Sequence, residues 1–402
     1  MATLQRLAPP AAAPSRQVTQ NFGENARIGT NIVGDLQGGL TIGSIDLSEG
    51  KREISVPGAA AASPPGARLT RPRMLDATLS SDGVHFSFGH ALLIGVAAYQ
   101  DSGLRVADGT TANDARELAR LLRDQQRAAY PATQVTELID TAATHAAVLT
   151  ALDALAAQVA QQPNATALIF FAGHGERVGR RYALLPYDVQ LKAQQNLLTA
   201  TEFHAAIDRI RRHARRVVVI LNCCHAGGLG DRVLGTESDL LSGSAPPEDF
   251  YKPLVRGGGQ VVISSSRPSQ KSGARSHVNP QHSTFGAHLL DALAGDAPGG
   301  GDAIGVFELF AHLRHNVPED AKTLINTEGR ALVQEPLFYA HQLDDNLAIA
   351  LRPKGKAGAT LDSSLAAQIR RLVELELLEG TQLDAFSEAA RAERDALLAA
   401  LG

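Results

Sequence analysis

The feature that most constrains the fold is a series of short, continuous apolar runs that alternate with helical segments. The apolar runs, each typical of a buried strand, are Ala91–Ala98, Val135–Ile139, Ala167–Ala172, Val217–Leu221, Val261–Ile263 and Leu347–Leu351. Helical spacing of apolar residues marks the segments between them, at Thr111–Arg123, Thr144–Ala160, Thr201–His213, Thr284–Leu293 and Val306–His315. Strands that are apolar on both faces belong to sheets covered on both sides. The sequence therefore predicts an α/β fold, with a mostly parallel sheet sandwiched between helices.

Changes of composition predict four parts of the chain. Residues 1–50 form a Gly-rich, β-prone segment, and residues 51–80 form a linker rich in Pro and Ala. The α/β domain occupies residues 81–352, with a long loop predicted between Gly227 and Gly259, where Gly and Pro are frequent and periodicity is weak. Residues 353–402 are predicted to form a helical hairpin, with helices at Leu361–Leu378 and Gln382–Leu401 separated by Gly380.

Charge, hydropathy and cysteine content exclude several classes of protein. A net charge of -4 and a pI of about 6.4 argue against nucleic-acid binding. The chain has no apolar run near the roughly 20 residues of a membrane span, and its start does not resemble a signal peptide, so we expect a cytoplasmic protein. Its two cysteines, Cys223 and Cys224, are adjacent. Adjacent cysteines rarely reach disulfide geometry and match no zinc-binding spacing, so a reactive thiol is expected.

Two strand ends carry the residue types of nucleophilic catalysis. One reads Ala-Leu-Ile-Phe-Phe-Ala-Gly and continues into His174, and the other reads Val-Val-Val-Ile-Leu-Asn and continues into Cys223 and Cys224. Sites in open α/β sheets form at the carboxyl ends of the strands, where these residues fall. A thiol becomes a good nucleophile at neutral pH when a nearby imidazole takes its proton. The pattern therefore predicts a thiol–imidazole pair.

The same segments resemble a known family. Ala172-Gly-His-Gly175 and Asn222-Cys-Cys-His-Ala-Gly227 resemble the His-Gly and Asp-x-Cys-His-Ser-Gly motifs of metacaspases, in the caspase clan. The resemblance covers Phe86 to Leu351, and its His lies 50 positions before Cys224, as in caspases. It implies a caspase-like fold and a cysteine endopeptidase that needs no cofactor and acts on a protein or peptide substrate.

The resemblance also implies roles for individual residues. Cys224 would be the nucleophile and His174 its base, while the backbone N–H groups of Gly175 and Cys224 would form the oxyanion hole. The pocket for the residue before the scissile bond (P1) would involve Asp114, Asn222 and Arg105.

Two departures from the family pattern concern specificity and metal. Metacaspases carry an Asp where this chain has Asn222, although Asp114 still offers a carboxylate; Arg105 stands roughly where caspases present a basic residue to an acidic P1. We expect a basic P1 residue on balance.

Calcium-dependent metacaspases have an acidic cluster after the His-Gly strand, whereas Glu176–Asp188 is mostly neutral or basic. Calcium needs six to eight oxygen ligands, so no metal site is expected.

The N-terminal stretch Ala26–Gly43 resembles short amyloid signalling motifs that precede effector domains in bacterial immune proteins. Its β-branched residues, low charge and lack of Pro suit stacked strands. The resemblance implies self-association, or an NLR-like partner, for a regulated antiviral defence or cell-death effector. The stretch could instead form a small β-hairpin docked on the protease domain. For the whole chain, the alternatives are a catalytically silent caspase-like scaffold that assembles with signalling partners, and a thiol transferase or acyl hydrolase.

Overall fold

The structure is a computed structural model, and it describes residues 16–20, 52–56, 78–80, 83–162, 164–178, 181–223, 246–255, 259–268, 270–299, 302–325, 330–341, 347–356, 367–368, 371, 375 and 387–401. The chain divides into two compact units, Met1–Ala67 and Arg68–Gly402. In the first unit, strands β1 (Arg16–Gln20) and β2 (Arg52–Val56) pair antiparallel. The stretch Ala26–Gly43 lies outside the described residues.

The second unit contains the remaining strands and the helices of the described residues. The strands are β3 (Thr78–Ser80), β4 (Gly83–His85), β5 (Gly89–Gly95), β6 (Val135–Ile139), β7 (Thr166–Gly173), β8 (Gly175–Val178), β9 (Arg181–Leu184), β10 (Leu198–Thr199), β11 (Arg216–Cys223), β12 (Gln260–Ser264), β13 (Ala303–Gly305), β14 (Leu337–His341) and β15 (Ala348–Leu351). The α-helices are α1 (Thr110–Arg123), α2 (His145–Val159), α3 (Ala200–Arg211), α4 (Glu248–Tyr251), α5 (Thr284–Asp291), α6 (Val306–Ala321) and α7 (Glu388–Leu401).

A six-stranded sheet of order β14-β12-β11-β7-β5-β6 forms the centre of this unit. All neighbours in it are parallel except β14, which runs antiparallel to β12. One core contains apolar residues of α1, α5 and α6, and the other contains those of α2 and α3. Along β11, Val218 and Ile220 belong to the first core, whereas Val219 and Leu221 belong to the second. The predicted mostly parallel sheet between helices is therefore confirmed.

The edge of the sheet differs from the prediction. The apolar run at Leu347–Leu351 does form a strand, β15, but β15 pairs with β13 in a separate two-stranded sheet. The sixth strand of the central sheet is β14, which the sequence analysis missed. Its Tyr339 and His341 break the continuous apolar run that marks the other strands, although Tyr339 is buried in the core that contains α2 and α3.

Residues 248–255, within the predicted loop between Gly227 and Gly259, are helical, so that prediction was wrong there. Helix α4 is followed by a 3₁₀ turn over Lys252–Val255. Phe250 and Tyr251 are buried, and the Tyr251 hydroxyl lies 2.6 Å from Ser264 Oγ. Two aromatic side chains thus anchor a helix too short to show periodicity. The described part of the predicted loop is limited to residues 246–255 and 259.

The C-terminal segment is partly described. Helix α7 confirms helical structure within the predicted Gln382–Leu401, and Leu397 packs against the core. Arg371 and Glu393 form an ion pair at 2.8 Å, which joins the two segments predicted to pair as a hairpin. The domain boundaries at residues 50, 80 and 352 stay predictions. In the described portion of the chain, no helix has both the length and the apolar character needed to cross a bilayer.

Candidate active site

His174 lies at the junction between two strands, one residue after β7 ends and one before β8 begins. It is buried, and its backbone N–H donates a 2.6 Å hydrogen bond to the hydroxyl of Tyr99. The Tyr99 ring also stacks on the imidazole, with centroids 5.1 Å apart and planes 26° apart. Burial raises the pKa of the Tyr99 phenol, so the phenol stays neutral at physiological pH. Tyr99 therefore holds both the backbone and the ring of His174.

The imidazole of His174 has a defined tautomer. Its Nε2 lies 2.8 Å from the carbonyl oxygen of Leu104. A carbonyl oxygen can only accept a hydrogen bond, so Nε2 carries the proton. In the neutral ring, Nδ1 is then the basic nitrogen. This arrangement suits a general base that acts through Nδ1.

The glycines on both sides of His174 are required by packing. A Cβ on Gly173 would lie 2.7 Å from the Tyr99 hydroxyl, and one on Gly175 would lie 2.0 Å from the Tyr182 hydroxyl. The constraint on Gly175 is therefore the buried side chain of Tyr182.

The strand that leads to the cysteines lies directly beside the strand that leads to His174. Strands β11 and β7 are parallel neighbours, and Cys223 is in register with Gly173. The Cys223 thiol is fully buried in the core that contains α2 and α3, as expected for a structural cysteine. Cys224 is the next residue in the sequence, and it lies outside the described residues. Its role as nucleophile and oxyanion-hole donor stays a prediction.

Asp114 and Asn222, which the sequence analysis assigned to the P1 pocket, are in direct contact. Asn222 Nδ2 donates to Asp114 Oδ2 at 3.1 Å and to Ser283 Oγ at 2.8 Å. Asp114 also accepts from His282 Nδ1 at 3.0 Å, from the Ser283 hydroxyl at 2.6 Å and from the Ser283 N–H at 3.2 Å. Burial raises the pKa of the Asp114 carboxyl, and the hydrogen bonds from His282 and Ser283 oppose that rise.

A small cleft, partly open to solvent, lies next to His174. Its lining is made mostly of small residues and consists of Val106, Thr111, Gly173, His174, Asn222, Ser272, Gly273, Ala274 and Ser283. The structure thus brings His174 and Asn222 to one cleft. Asp114 lies behind Asn222 and Ser283 and does not line this space. Arg105 is exposed on the loop that supplies the Leu104 carbonyl, and it is not among the lining residues either.

The residue after the His-Gly pair, Glu176, has a perturbed carboxyl group. Burial raises its pKa to about 7, and the Arg177 N–H, 2.9 Å from Oε1, opposes that rise. The side chain is 4% exposed. Within the described residues, no group of three or more His, Cys, Asp or Glu side chains is arranged to hold a metal ion.

Sequence reasoning missed four residues that build this site: Tyr99, Leu104, His282 and Ser283. Each acts on a partner far along the chain, since Leu104 is 70 positions from His174 and His282 is 168 positions from Asp114. The available signal for Tyr99 was its place at the end of the first apolar run, at the edge of the sheet where sites form. No comparable sequence signal marks His282 or Ser283.

Comparison with known proteins adds a family match. The sequence profile described as the caspase domain (Peptidase_C14) matches residues 88–348, which is more than half of the chain. The chain matches none of the curated proteins with which it was compared. One similar solved structure is a protein from Geobacter sulfurreducens, with 17% identity and a TM-score of 0.42 over 67% of this chain and 99% of that one. Another is the Drosophila initiator caspase Dronc, with 10% identity and a TM-score of 0.41 over 73% of this chain and 96% of that one.

Proposed function

Because the chain belongs to the caspase-domain family, we propose that it is a cysteine endopeptidase that cleaves protein substrates. His174 is the general base, and Cys224 is the nucleophile. The observation that best supports this proposal is the Nε2–H bond from His174 to the Leu104 carbonyl, which leaves Nδ1 as the basic nitrogen. A histidine held in this way at a strand end, beside the strand that leads to a cysteine pair, suits a thiol protease.

The proposed reaction has two stages. His174 Nδ1 takes the proton of the Cys224 thiol, and the thiolate sulfur bonds to the scissile carbonyl carbon. The N–H groups of Gly175 and Cys224 stabilise the oxyanion. The imidazolium then gives its proton to the leaving amine as the C–N bond breaks, which leaves a thioester. Water, deprotonated by His174, attacks the thioester, releases the carboxylate product and restores the thiol.

Substitutions at the two adjacent cysteines test this assignment. Cys224→Ala and His174→Ala should each lower kcat/KM by at least about a thousandfold, because each removes a group that bonds to a reacting atom. Cys223→Ala is the matched control and should keep kcat/KM within about tenfold, because its thiol is in the core. Cleavage of a peptide library by the purified protein supplies the substrate. An inactive Cys223→Ala with an active Cys224→Ala would reverse the assignment.

A thiol-reactive peptide electrophile separates the protease from the scaffold alternative. A protease with an activated thiolate should form one covalent adduct at Cys224, detected by peptide mass spectrometry, and His174→Ala should slow the labelling strongly. A silent scaffold would react at Cys224 no faster than a short unstructured peptide containing the same two cysteines.

In the cell, we propose a cytoplasmic, regulated defence or cell-death effector. The support is the resemblance of Ala26–Gly43 to amyloid signalling motifs, together with its position in the sequence before the caspase domain at residues 88–348. In this proposal the segment brings copies of the chain together, or joins them to an NLR-like partner, and proximity activates the protease.

A further inference from the structure

We propose that the cleft beside His174 selects an uncharged P1 side chain, because the carboxyl group of Asp114 is fully used by internal hydrogen bonds. This inference rests on the proposed peptidase function and specifies its substrate class. It differs from the basic P1 residue expected from the sequence.

The first step concerns the acceptor capacity of Asp114. A carboxylate offers about four lone pairs, two on each oxygen. Asp114 Oδ1 accepts from His282 Nδ1 and from the Ser283 N–H, at 3.0 and 3.2 Å. Oδ2 accepts from the Ser283 hydroxyl and from Asn222 Nδ2, at 2.6 and 3.1 Å. All four positions are filled, so a guanidinium or ammonium group of a substrate would have to displace a buried partner.

The second step concerns what separates this carboxyl group from the cleft. Asn222 and Ser283 line the cleft, whereas Asp114 does not. The Ser283 hydroxyl donates to Asp114 and accepts from Asn222 Nδ2 and the Gly286 N–H, so its capacity is also filled. Both hydrogens of Asn222 Nδ2 are committed, which leaves Oδ1 as its remaining hydrogen-bonding atom. A neutral acceptor therefore stands where an accessible carboxylate would attract a cation.

The rest of the described lining offers no counter-charge for either sign. Apart from His174, its members are Val, Thr, Gly, Asn, Ser and Ala residues. Thr111 Oγ1 donates its hydrogen to the Val96 carbonyl at 2.7 Å, so this hydroxyl can only accept from any further partner. A charged P1 side chain buried here would lose its hydration free energy, and no opposite charge in the described lining would compensate for that loss. An uncharged side chain with N–H or O–H donors, such as an amide, meets the acceptors that are present.

The test compares arginine with citrulline at P1, because the two side chains have nearly the same shape and differ in charge. Two peptide pools, acetyl-Xaa-Xaa-Xaa-Arg-amide and the citrulline equivalent, are incubated together with the full chain carrying Cys224→Ala. Bound peptides are then separated by gel filtration and quantified by mass spectrometry. Citrulline peptides should be retained at least about threefold more strongly than arginine peptides. A smaller difference, or stronger retention of arginine peptides, would overturn the inference, as would failure of both pools to bind.

A matched variant places a carboxylate in the lining itself. Asn222→Asp, combined with Cys224→Ala, should shift the retention ratio towards arginine by at least about tenfold. No shift would show that P1 does not sit against Asn222 and would overturn the inference. These measurements need no turnover, so they are independent of the labelling experiment that tests the peptidase function. A labelled, active protease that retains arginine peptides would contradict the inference alone.

Discussion

The arrangement around His174 depends on one phenol. The Tyr99 hydroxyl accepts the His174 N–H at 2.6 Å while its ring stacks on the imidazole. Neighbouring Gly173 has no room for a side chain, because the same hydroxyl would lie 2.7 Å from its Cβ. In the proposed mechanism Tyr99 is therefore a positioning residue, which acts through His174.

Tyr99→Phe separates the two contacts, since it keeps the stacking ring and removes the acceptor. The buried His174 N–H would then lose its hydrogen bond to the Tyr99 hydroxyl, and loss of such a bond costs about 1–3 kcal/mol. We expect kcat to fall about tenfold or more, with KM changed by less than about threefold, in steady-state assays on the preferred peptide. Tyr130→Phe is the matched control, because its buried hydroxyl donates to the Ile349 carbonyl instead. It should lower stability and leave kcat unchanged; equal kcat for both variants would exclude a positioning role for Tyr99.

Glu176 predicts a pH dependence of stability. Burial raises the pKa of its carboxyl group from an ordinary 4.5 to about 7. At a pH well below 4.5 the group is protonated in both the folded and unfolded states, so burial carries no charge penalty. As pH rises towards 7, only the unfolded state loses the proton, and native stability falls. Above pH 7 the loss is complete.

Glu176→Gln removes this titration. Its free energy of unfolding, relative to that of the unsubstituted protein, should therefore be higher at pH 8 than at pH 5. Urea unfolding at both pH values measures the difference. A stability difference between the two proteins that does not change with pH would mean that the Glu176 carboxyl titrates as in the unfolded chain.

At the scale of elements, the junction between β7 and β8 is tightly packed. Gly175 begins β8 and lies over the ring of Tyr182, which belongs to β9, the partner strand of β8. A Cβ on Gly175 would meet two atoms of that ring and its hydroxyl oxygen within 2.8 Å. The antiparallel pair thus limits the residue after His174 to glycine.

Gly175→Ala should therefore destabilise the protein by about 1–3 kcal/mol, because the Tyr182 ring must shift to accept the methyl group. The same substitution in a Tyr182→Leu background should cost less, since the crowded ring atoms are gone. Thermal and urea unfolding of the four proteins form a double-mutant cycle. Additive effects of the two substitutions would show that the two positions do not share a packing constraint.

At the scale of the whole molecule, the division into two compact units predicts separable behaviour. A chain shortened to Arg68–Gly402 should have a melting temperature within about 2 °C of that of the same unit in the full chain. It should also keep its basal peptidase activity. Both are expected because the central sheet, His174 and both cysteines lie in that unit. Differential scanning calorimetry and a peptide cleavage assay provide the measurements. A large loss of melting temperature would show that residues 1–67 contribute to the core.

The proposed self-association of the N-terminal stretch Ala26–Gly43 can also be tested at this scale. A peptide spanning Gln20–Asp46 should form thioflavin-positive fibrils with cross-β diffraction, because its β-branched residues and low charge favour stacked strands. Ile32→Pro with Leu40→Pro should prevent fibrils by removing ladder donors. In the full chain, the double substitution should abolish activation on assembly and leave basal activity unchanged. A peptide that stays monomeric would place control of the protease elsewhere.

The sequence alone was enough to predict the parallel sheet and its helices. Five of the six central strands and all five helices predicted between residues 86 and 351 are present. These elements are readable because burial on two faces and amphipathic spacing are local patterns. The position of His174 at a strand end follows from the same patterns, since the carboxyl ends of parallel strands form one edge.

The tertiary structure decided what local patterns cannot record. It paired β15 with β13 and placed β14 at the sheet edge, because strand pairing depends on partners distant in sequence. The carbonyl oxygen of Leu104 sets the tautomer of His174. The acceptor positions of the Asp114 carboxyl group are filled by hydrogen bonds from His282, Ser283 and Asn222. The sequence shows that position 114 carries a carboxyl group. Whether a substrate side chain can reach that group depends on the side chains around it, which are distant in sequence.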